Sequence, residues 1–194
     1  MQVQKKKSVG SSSHTFWTLE PSYTTVEFSV RNLFFTVKGH LAVLEGSIVL
    51  DGEDIHRSSV VASLDADSVD TGIKRRDAHL RSAAFLDTGN FPHIHFQSSS
   101  IGPGIDRDML SVKGSLTIKE KKSTVELNVT EVDRSRSPRG EEVIYYSATT
   151  ELDRFAFGMN YGRGVIGRTL KISINVQASR RISDGSLGRR TQLE

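Results

Sequence analysis

Residues 110–129 read LSVKGSLTIKEKKSTVELNV, and their alternation decides the fold class. Leu110, Val112, Leu116 and Ile118 face one way, with Gly114 in the same phase, while Ser111, Lys113, Ser115 and Thr117 face the other. Val125, Leu127 and Val129 then oppose Glu126 and Asn128. Successive side chains of a strand point to opposite faces, so a period of two marks strands with one face in a core and the other in water.

Working outward, the same pattern recurs along most of the chain. Val26, Phe28 and Val30 alternate with Glu27, Ser29 and Arg31, and Val60, Ala62, Leu64 and Ala66 alternate with Val61, Ser63, Asp65 and Asp67. Ile144, Tyr146, Ala148 and Leu152 form one further apolar face, and Leu170, Ile172, Ile174 and Val176 another. Adding 37–50, which the Glu45-Gly46 pair is expected to break, and 94–98 gives eight or nine strands. Regularly spaced, one-sided strands predict an all-β antiparallel barrel or sandwich. One stretch resists: residues 73–84 read as a short helix inserted between strands, with Leu80 and Ala84 one turn apart. DRSRSPRGEE, 133–142, reads as a polar connection with a Ser-Pro turn.

The chain has 194 residues, 36% of them hydrophobic and 25% charged, which suits one globular domain with a single core. It contains no cysteine, so disulfides, thiolate nucleophiles and cysteine-ligated metals are excluded. The net charge of +3 sits at the ends: Lys5, Lys6 and Lys7 lie within residues 1–15, and four arginines lie within 180–194. Both segments lack apolar periodicity and are read as disordered or flexible basic tails around a domain at 16–179; no nucleic-acid partner is expected. No apolar run is long enough to span a bilayer, so no stable membrane insertion is expected. Residues 1–15 lack the apolar core of a secretory signal, so the expectation is a cytoplasmic protein, or a periplasmic one if a leader has been trimmed.

Chemistry concentrates in DTGIKRRDAHLRSAAFLDTGNFPHIHF, 70–96. His93 and His95 share one face of a strand, but no third ligand lies nearby in sequence, and no metal is assigned. Asp77 and His79 are two apart on a helix and point away from each other. No nucleophile elbow, Walker loop, dinucleotide fingerprint or HExxH is present. Arg75, Arg76, His79 and Arg81 either clamp an anion or brace the helix through Asp70, Asp77 and Asp87. No cofactor is called for.

FWTLEPSYTTVEFSVRNL, VKGHLAVLEGSIVLD, ASLDADSVDTGIKRRDAHLRSAAFLDTGNFPHIHF, LSVKGSLTIKEKKSTVELNV and DRFAFGMN resemble, in order and spacing, the YceI-like proteins, a lipocalin-like family associated with polyisoprenoid binding. The similarity runs from about Trp17 to Ala178, and its most specific part is TGxxxRDxHLRSxxFLDxxxFPxIxF, 71–96. The family often shows histidine at the positions of Tyr23 and Asn32 and glycine at that of Glu120. The resemblance implies an eight-stranded antiparallel lipocalin-like barrel with an inserted helix, enclosing an apolar pocket for a long isoprenoid, and a homodimer.

An eight-stranded barrel has room for its own side chains or one slender ligand. Inward candidates are Phe28, Phe34, Phe35, Phe85, Phe91, Phe96, Phe155 and Phe157, with Val30, Leu64 and Leu116; they either fill a dry core or line a tunnel, and the resemblance favours the tunnel. Arg75 and His79 are the candidate head-group contacts. The reading is therefore non-enzymatic binding, storage or transport of a polyprenyl phosphate or quinone-type lipid. The alternative is an enzyme using Asp77, His79 and Arg81 on a small hydrophobic substrate.

Overall fold

The computed structural model describes residues 14–137 and 140–180. Its strands are β1 (His14–Leu19), β2 (Thr25–Asn32), β3 (Phe35–Asp51), β4 (Ser59–Asp70), β5 (His93–Pro103), β6 (Met109–Ile118), β7 (Lys121–Arg136), β8 (Glu142–Asp153) and β9 (Ile166–Arg180). One helix, α1 (Lys74–Arg81), separates β4 from β5. The sheet runs β1-β3-β2-β9-β8-β7-β6-β5-β4, and β4 returns to β3, so the sheet closes on itself with every pairing antiparallel.

Nine segments fill eight positions. β2 pairs with Phe35–Leu41 of β3 and with the Ile166–Asn175 part of β9, whereas β1 pairs with Ser47–Asp51 of β3 and with Ala178 and Ser179 of β9. β1 and β2 thus follow one another in the same slot of the ring, interrupted by a 3-10 turn at Pro21–Tyr23 where proline removes a ladder donor. The barrel is eight strands around, as the resemblance implied, and its nine segments fall within the eight or nine strands read from the alternation.

Three boundaries differ from the sequence reading. β3 does not break at Glu45-Gly46; it runs through with a bulge against β4 between Val43 and Glu45. A β-carbon at Gly46 would lie 2.7 Å from the Leu19 side chain and 2.8 Å from the Val61 carbonyl oxygen, so this glycine marks close approach of neighbouring strands rather than a strand end. β1 begins at His14 and β9 continues through Arg180, because the backbone ladder continues where the side chains turn polar. The proposed tails otherwise fall outside the described residues.

The helix is eight residues long rather than twelve. It follows Gly72, whose φ of +79° makes the left-handed turn out of β4, and it stops at Ser82, where the backbone becomes extended and the hydroxyl donates to the His79 carbonyl at 2.7 Å. Polar contacts pin it. The buried Asp77 carboxylate accepts from the Thr71 amide (2.9 Å) and hydroxyl, and that hydroxyl oxygen in turn accepts from Arg76 Nε (2.7 Å). Arg81 donates to the carbonyls of Asp67 (2.6 Å) and Val69 (2.9 Å). The arginines therefore brace α1, but chiefly through Thr71 and β4 carbonyls rather than through Asp70 and Asp87, which hold Gly72 and Asn90 instead.

Connections gather at two ends. The β2–β3 turn, α1 with residues 82–92, and residues 154–165 between β8 and β9 cover one end; the β3–β4, β5–β6 and β7–β8 connections lie at the other. Towards the latter, buried Trp17 lies between the guanidinium groups of Arg134 and Arg180, 5.5 and 4.9 Å from its ring centre.

Two glycines sit beneath aromatic rings on the inner wall, Gly39 under Phe28 and Gly114 under Phe96. A β-carbon at Gly114 would come within 2.5 Å of the Phe96 ring and 2.6 Å of the Gln97 carbonyl oxygen, and the backbone cannot yield cheaply. Gly114→Ala is expected to destabilise the barrel by about 1–3 kcal/mol in chemical denaturation, whereas Gly89→Ala, with open space around it, stays within about 0.5 kcal/mol of wild type.

For Asp77, burial raises the pKa, but the Thr71 hydroxyl and amide and the charges of Arg81 and Arg76 outweigh it, so the carboxyl titrates below the usual aspartate value. A carboxylate depressed in this way stabilises the fold above its unfolded pKa of about 3.9, and that contribution is lost as pH falls through the lower folded value. Asp77→Asn is expected to cost about 1–3 kcal/mol at pH 6, with the difference from wild type shrinking as denaturation is repeated below about pH 4.

Candidate functional site

The inward faces of β2 to β9 enclose a cavity of about 430 Å³. Each strand of the ring supplies an apolar wall residue, among them Val30, Val43, Leu64, Phe96, Leu116, Leu127, Ala148 and Ile172. The volume lies within the range of about 300–1,000 Å³ typical of small-molecule pockets. Left dry, such a cavity would forfeit on the order of 10 kcal/mol at roughly 24 cal/mol per Å³, as much as the net stability of many domains. An apolar occupant of this cavity would stabilise the fold by filling it.

Polar groups are few: the charged and exposed ones stand at one end, while Thr24, Tyr146 and Thr150 are set in the wall. Of the described residues that line the cavity, only His79 and Tyr161 are exposed, so the cavity meets solvent where α1 approaches the 154–165 connection. His79, Phe85 and Tyr161 form a ring trio there, with centroids 4.7 to 5.5 Å apart. Asn32 and Arg76 also belong to the polar lining of this portal.

Arg154, only 2% exposed, also lines this end. It donates to the carbonyls of Gly167 (2.8 Å), Tyr161 (2.9 Å), Ile166 (3.0 Å) and Met159, so one side chain holds the whole connection in place. Burial, together with the neighbouring Arg163 charge, lowers its pKa below the ordinary arginine value, though a guanidinium keeps its charge at neutral pH. Glycines with positive φ at 158, 162 and 164 shape the same connection. Deeper in the wall, the Tyr146 hydroxyl donates to Glu131 at 3.0 Å, and burial, reinforced by the Glu131 charge, pushes this phenol well above the ordinary tyrosine value.

The residues singled out from sequence divide into two groups. Phe28, Val30, Leu64, His79, Phe85, Phe96 and Leu116 line the cavity. Six others do not. Phe34 and Phe35 stand at the β2–β3 turn, 91% and 54% exposed. Phe91 is half-buried in the connection after α1, and Arg75 faces solvent. Phe155 is half-buried beneath the guanidinium groups of Arg154, Arg163 and Arg168, whose carbons lie 4.7, 4.7 and 5.5 Å from its ring centre. Phe157 is buried in the core beside the cavity, contributing nothing to its lining. Arg75 lies on α1 and the other five in or beside turns, where a period of two no longer says which way a side chain points.

Asp77 and Arg81 are engaged in holding α1, and neither bonds His79. His93 and His95 stand together on the exposed outer face of β5 with ring centres 5.9 Å apart. Arg76 belonged to the cationic cluster read from the sequence, whereas Arg154 and Tyr161 were missed. Alternation carries no information about them, but Arg154 lies within DRFAFGMN and Tyr161 within the glycine-rich stretch that follows, and those were the available signals.

A YceI-like domain model matches residues 17–178. A UPF0312 protein of Vibrio cholerae is 28% identical over 141 residues, spanning 71% of this chain and 73% of its own. Among solved structures, BcnA of Burkholderia cenocepacia superposes with a TM-score of 0.71 at 19% identity, covering 82% of this chain and 98% of that one. A polyisoprenoid binding domain from Saccharophagus degradans, implicated in plant cell wall breakdown, gives 0.61 at 12% identity, covering 85% and 98%. At such identities the structural likeness concerns the fold, whereas the family is established by the match across 17–178: this chain belongs to the YceI-like family.

Proposed function

We propose that the barrel binds a long-chain isoprenoid for storage or transport, with the chain in the cavity and a polar head group at the portal. The observation that carries this reading is the distribution of polarity: a largely aliphatic and aromatic wall whose charged and exposed polar groups stand at one mouth. The likeness in fold to a polyisoprenoid binding domain supports the same class of ligand.

The chemistry favours an elongated lipid over a compact one. Each methylene taken from water contributes about 0.8 kcal/mol, so affinity climbs with chain length until the cavity is full. A forty-carbon chain would nominally gain roughly 30 kcal/mol, beyond the practical ceiling of about 18–21, and the ordering of a flexible chain absorbs much of the difference. Slow exchange and length selection follow. At the mouth, Arg76 and His79 offer donors to an anionic head such as a polyprenyl phosphate or to the carbonyl of a quinone. The reading involves no bond making: Asp77 and Arg81 serve the helix.

Native mass spectrometry with polyprenols of graded length is expected to show one ligand per barrel, with affinity rising and then levelling off; failure to bind any length would overturn the proposal. Ala148→Phe projects a ring into the cavity, and displacing even two methylenes at about 0.8 kcal/mol each should weaken binding more than tenfold.

A polyprenyl phosphate should bind better than the matching alcohol, since a charge-assisted bond contributes about 1.5–3 kcal/mol. His79→Ala should reduce that preference while leaving the alcohol nearly unchanged, and an equal loss for both ligands would place the head group elsewhere.

A further inference from the structure

The portal end of the barrel carries a surface that lipid binding inside the cavity does not require. Leu33, Phe34 and Phe35 at the β2–β3 turn are 55%, 91% and 54% exposed; Ile73 at the start of α1 is 52% exposed, and Tyr161 and Val165 on the 154–165 connection are 54% and 48% exposed. Three separate segments thus present large apolar side chains at the same end. They adjoin the cavity, because Val30, Asn32 and Val37 on either side of the turn line it, as does Tyr161 itself. Isolated apolar residues on a surface need no explanation, but a group converging on the mouth of a lipid-sized cavity does.

Exposed cations outnumber free carboxylates around this group. Arg31, Lys74, Arg75 and Arg163 are exposed at the same end, and none is held in an ion pair among the described residues. Of the acidic groups nearby, Asp153 and Asp67 are ion-paired with Arg168 and Arg81 and Asp77 is hydrogen-bonded to Thr71, while Asp70 and Asp87 accept from Gly72 and Asn90. The central part of the chain is slightly acidic once the basic ends are set aside, so this basic rim runs against the overall balance.

Aromatic tips flanked by unpaired basic side chains match the chemistry of a bilayer interface, where rings settle at head-group depth and cations meet anionic lipid. We propose that this end docks reversibly on an anionic phospholipid bilayer, with Phe34 and Phe35 entering the interfacial layer, Lys74 and Arg75 on the head groups, and the portal facing the membrane. The inference rests on the lipid-binding reading above, since docking brings the portal to the source of its ligand. A second copy of the chain would cover the apolar tips equally well, but two identical basic rims would repel each other.

The test is sedimentation of the full chain with phosphatidylcholine vesicles and with equimolar phosphatidylcholine–phosphatidylglycerol vesicles. Binding is expected only to the anionic vesicles and should weaken strongly between about 50 mM and about 500 mM salt. Phe34→Ser/Phe35→Ser should reduce it more than tenfold, and Lys74→Ala and Arg75→Ala by about fivefold each. These residues are exposed, and an unchanged melting temperature checks that the variants fold. Wild-type binding that survives the double serine variant, or no binding at all, overturns the proposal; so does a dimer on size exclusion that the serine variant abolishes while vesicles are ignored. Uptake of detergent-dispersed polyprenol, measured without vesicles, separates the two readings. Uptake without docking removes only the membrane surface, and docking without uptake removes only the isoprenoid reading.

Discussion

β3 carries the closure of the barrel. Seventeen residues long, it pairs with β2 along its first part, with β1 along its last, and on its other side with β4, so the two edges of a nine-segment sheet become neighbours. Without the β3–β4 seam the sheet would expose two unpaired edges, and its inner wall would open to water. Closure also fixes the size of the interior: eight strand positions enclose a cavity of about 430 Å³, while Gly39 and Gly114 let the Phe28 and Phe96 rings lie against the wall. The cavity is thus a consequence of ring closure.

The open end is organised by polar groups that bond to backbone. Arg154 holds the connection between β8 and β9 through carbonyl oxygens, and the Arg76–Thr71–Asp77 chain together with Arg81 holds α1 against the end of β4. Both coverings are short and poor in regular structure, so apolar packing alone would leave them loose. Buried side chains bonded to several backbone groups fix their positions, and a hydrogen-bond chain of this kind is strengthened by its own polarisation. The two coverings then meet through the His79, Phe85 and Tyr161 rings.

The strands were readable because a wall with one dry face and one wet face imposes a period of two, and Val26–Val30, Leu110–Ile118 and Leu170–Val176 all obey it. Seven of the thirteen expected site residues line the cavity because they lie on strands or in the portal trio. The other six lie outside its lining, most of them where periodicity ends. Phe34 and Phe35 look like core residues by composition yet occupy a turn, and Phe155 faces arginines. Arg154 was illegible for the opposite reason: arginine is rarely buried, and its partners are carbonyls that leave no pattern in side-chain identity. Gly46 was misread as a strand end because close packing and chain reversal both call for a residue without a side chain.

The slot shared by β1 and β2 bears on how the chain is made. Both segments hydrogen-bond to β9, with Thr25 opposite Asn175 and Thr18 opposite Ser179, so one flank of that slot has no partner until nearly the whole domain has been synthesised. At about 5–20 residues per second, the interval between β2 and β9 leaving the ribosome is on the order of ten seconds, during which the inward apolar faces cannot be enclosed. Pairings so distant in sequence also slow the final step of folding, since a long loop must be ordered before its contacts form. The nascent barrel is therefore an open, half-greasy sheet for much of its synthesis, a state in which chaperone contact matters more than it does for the finished ring.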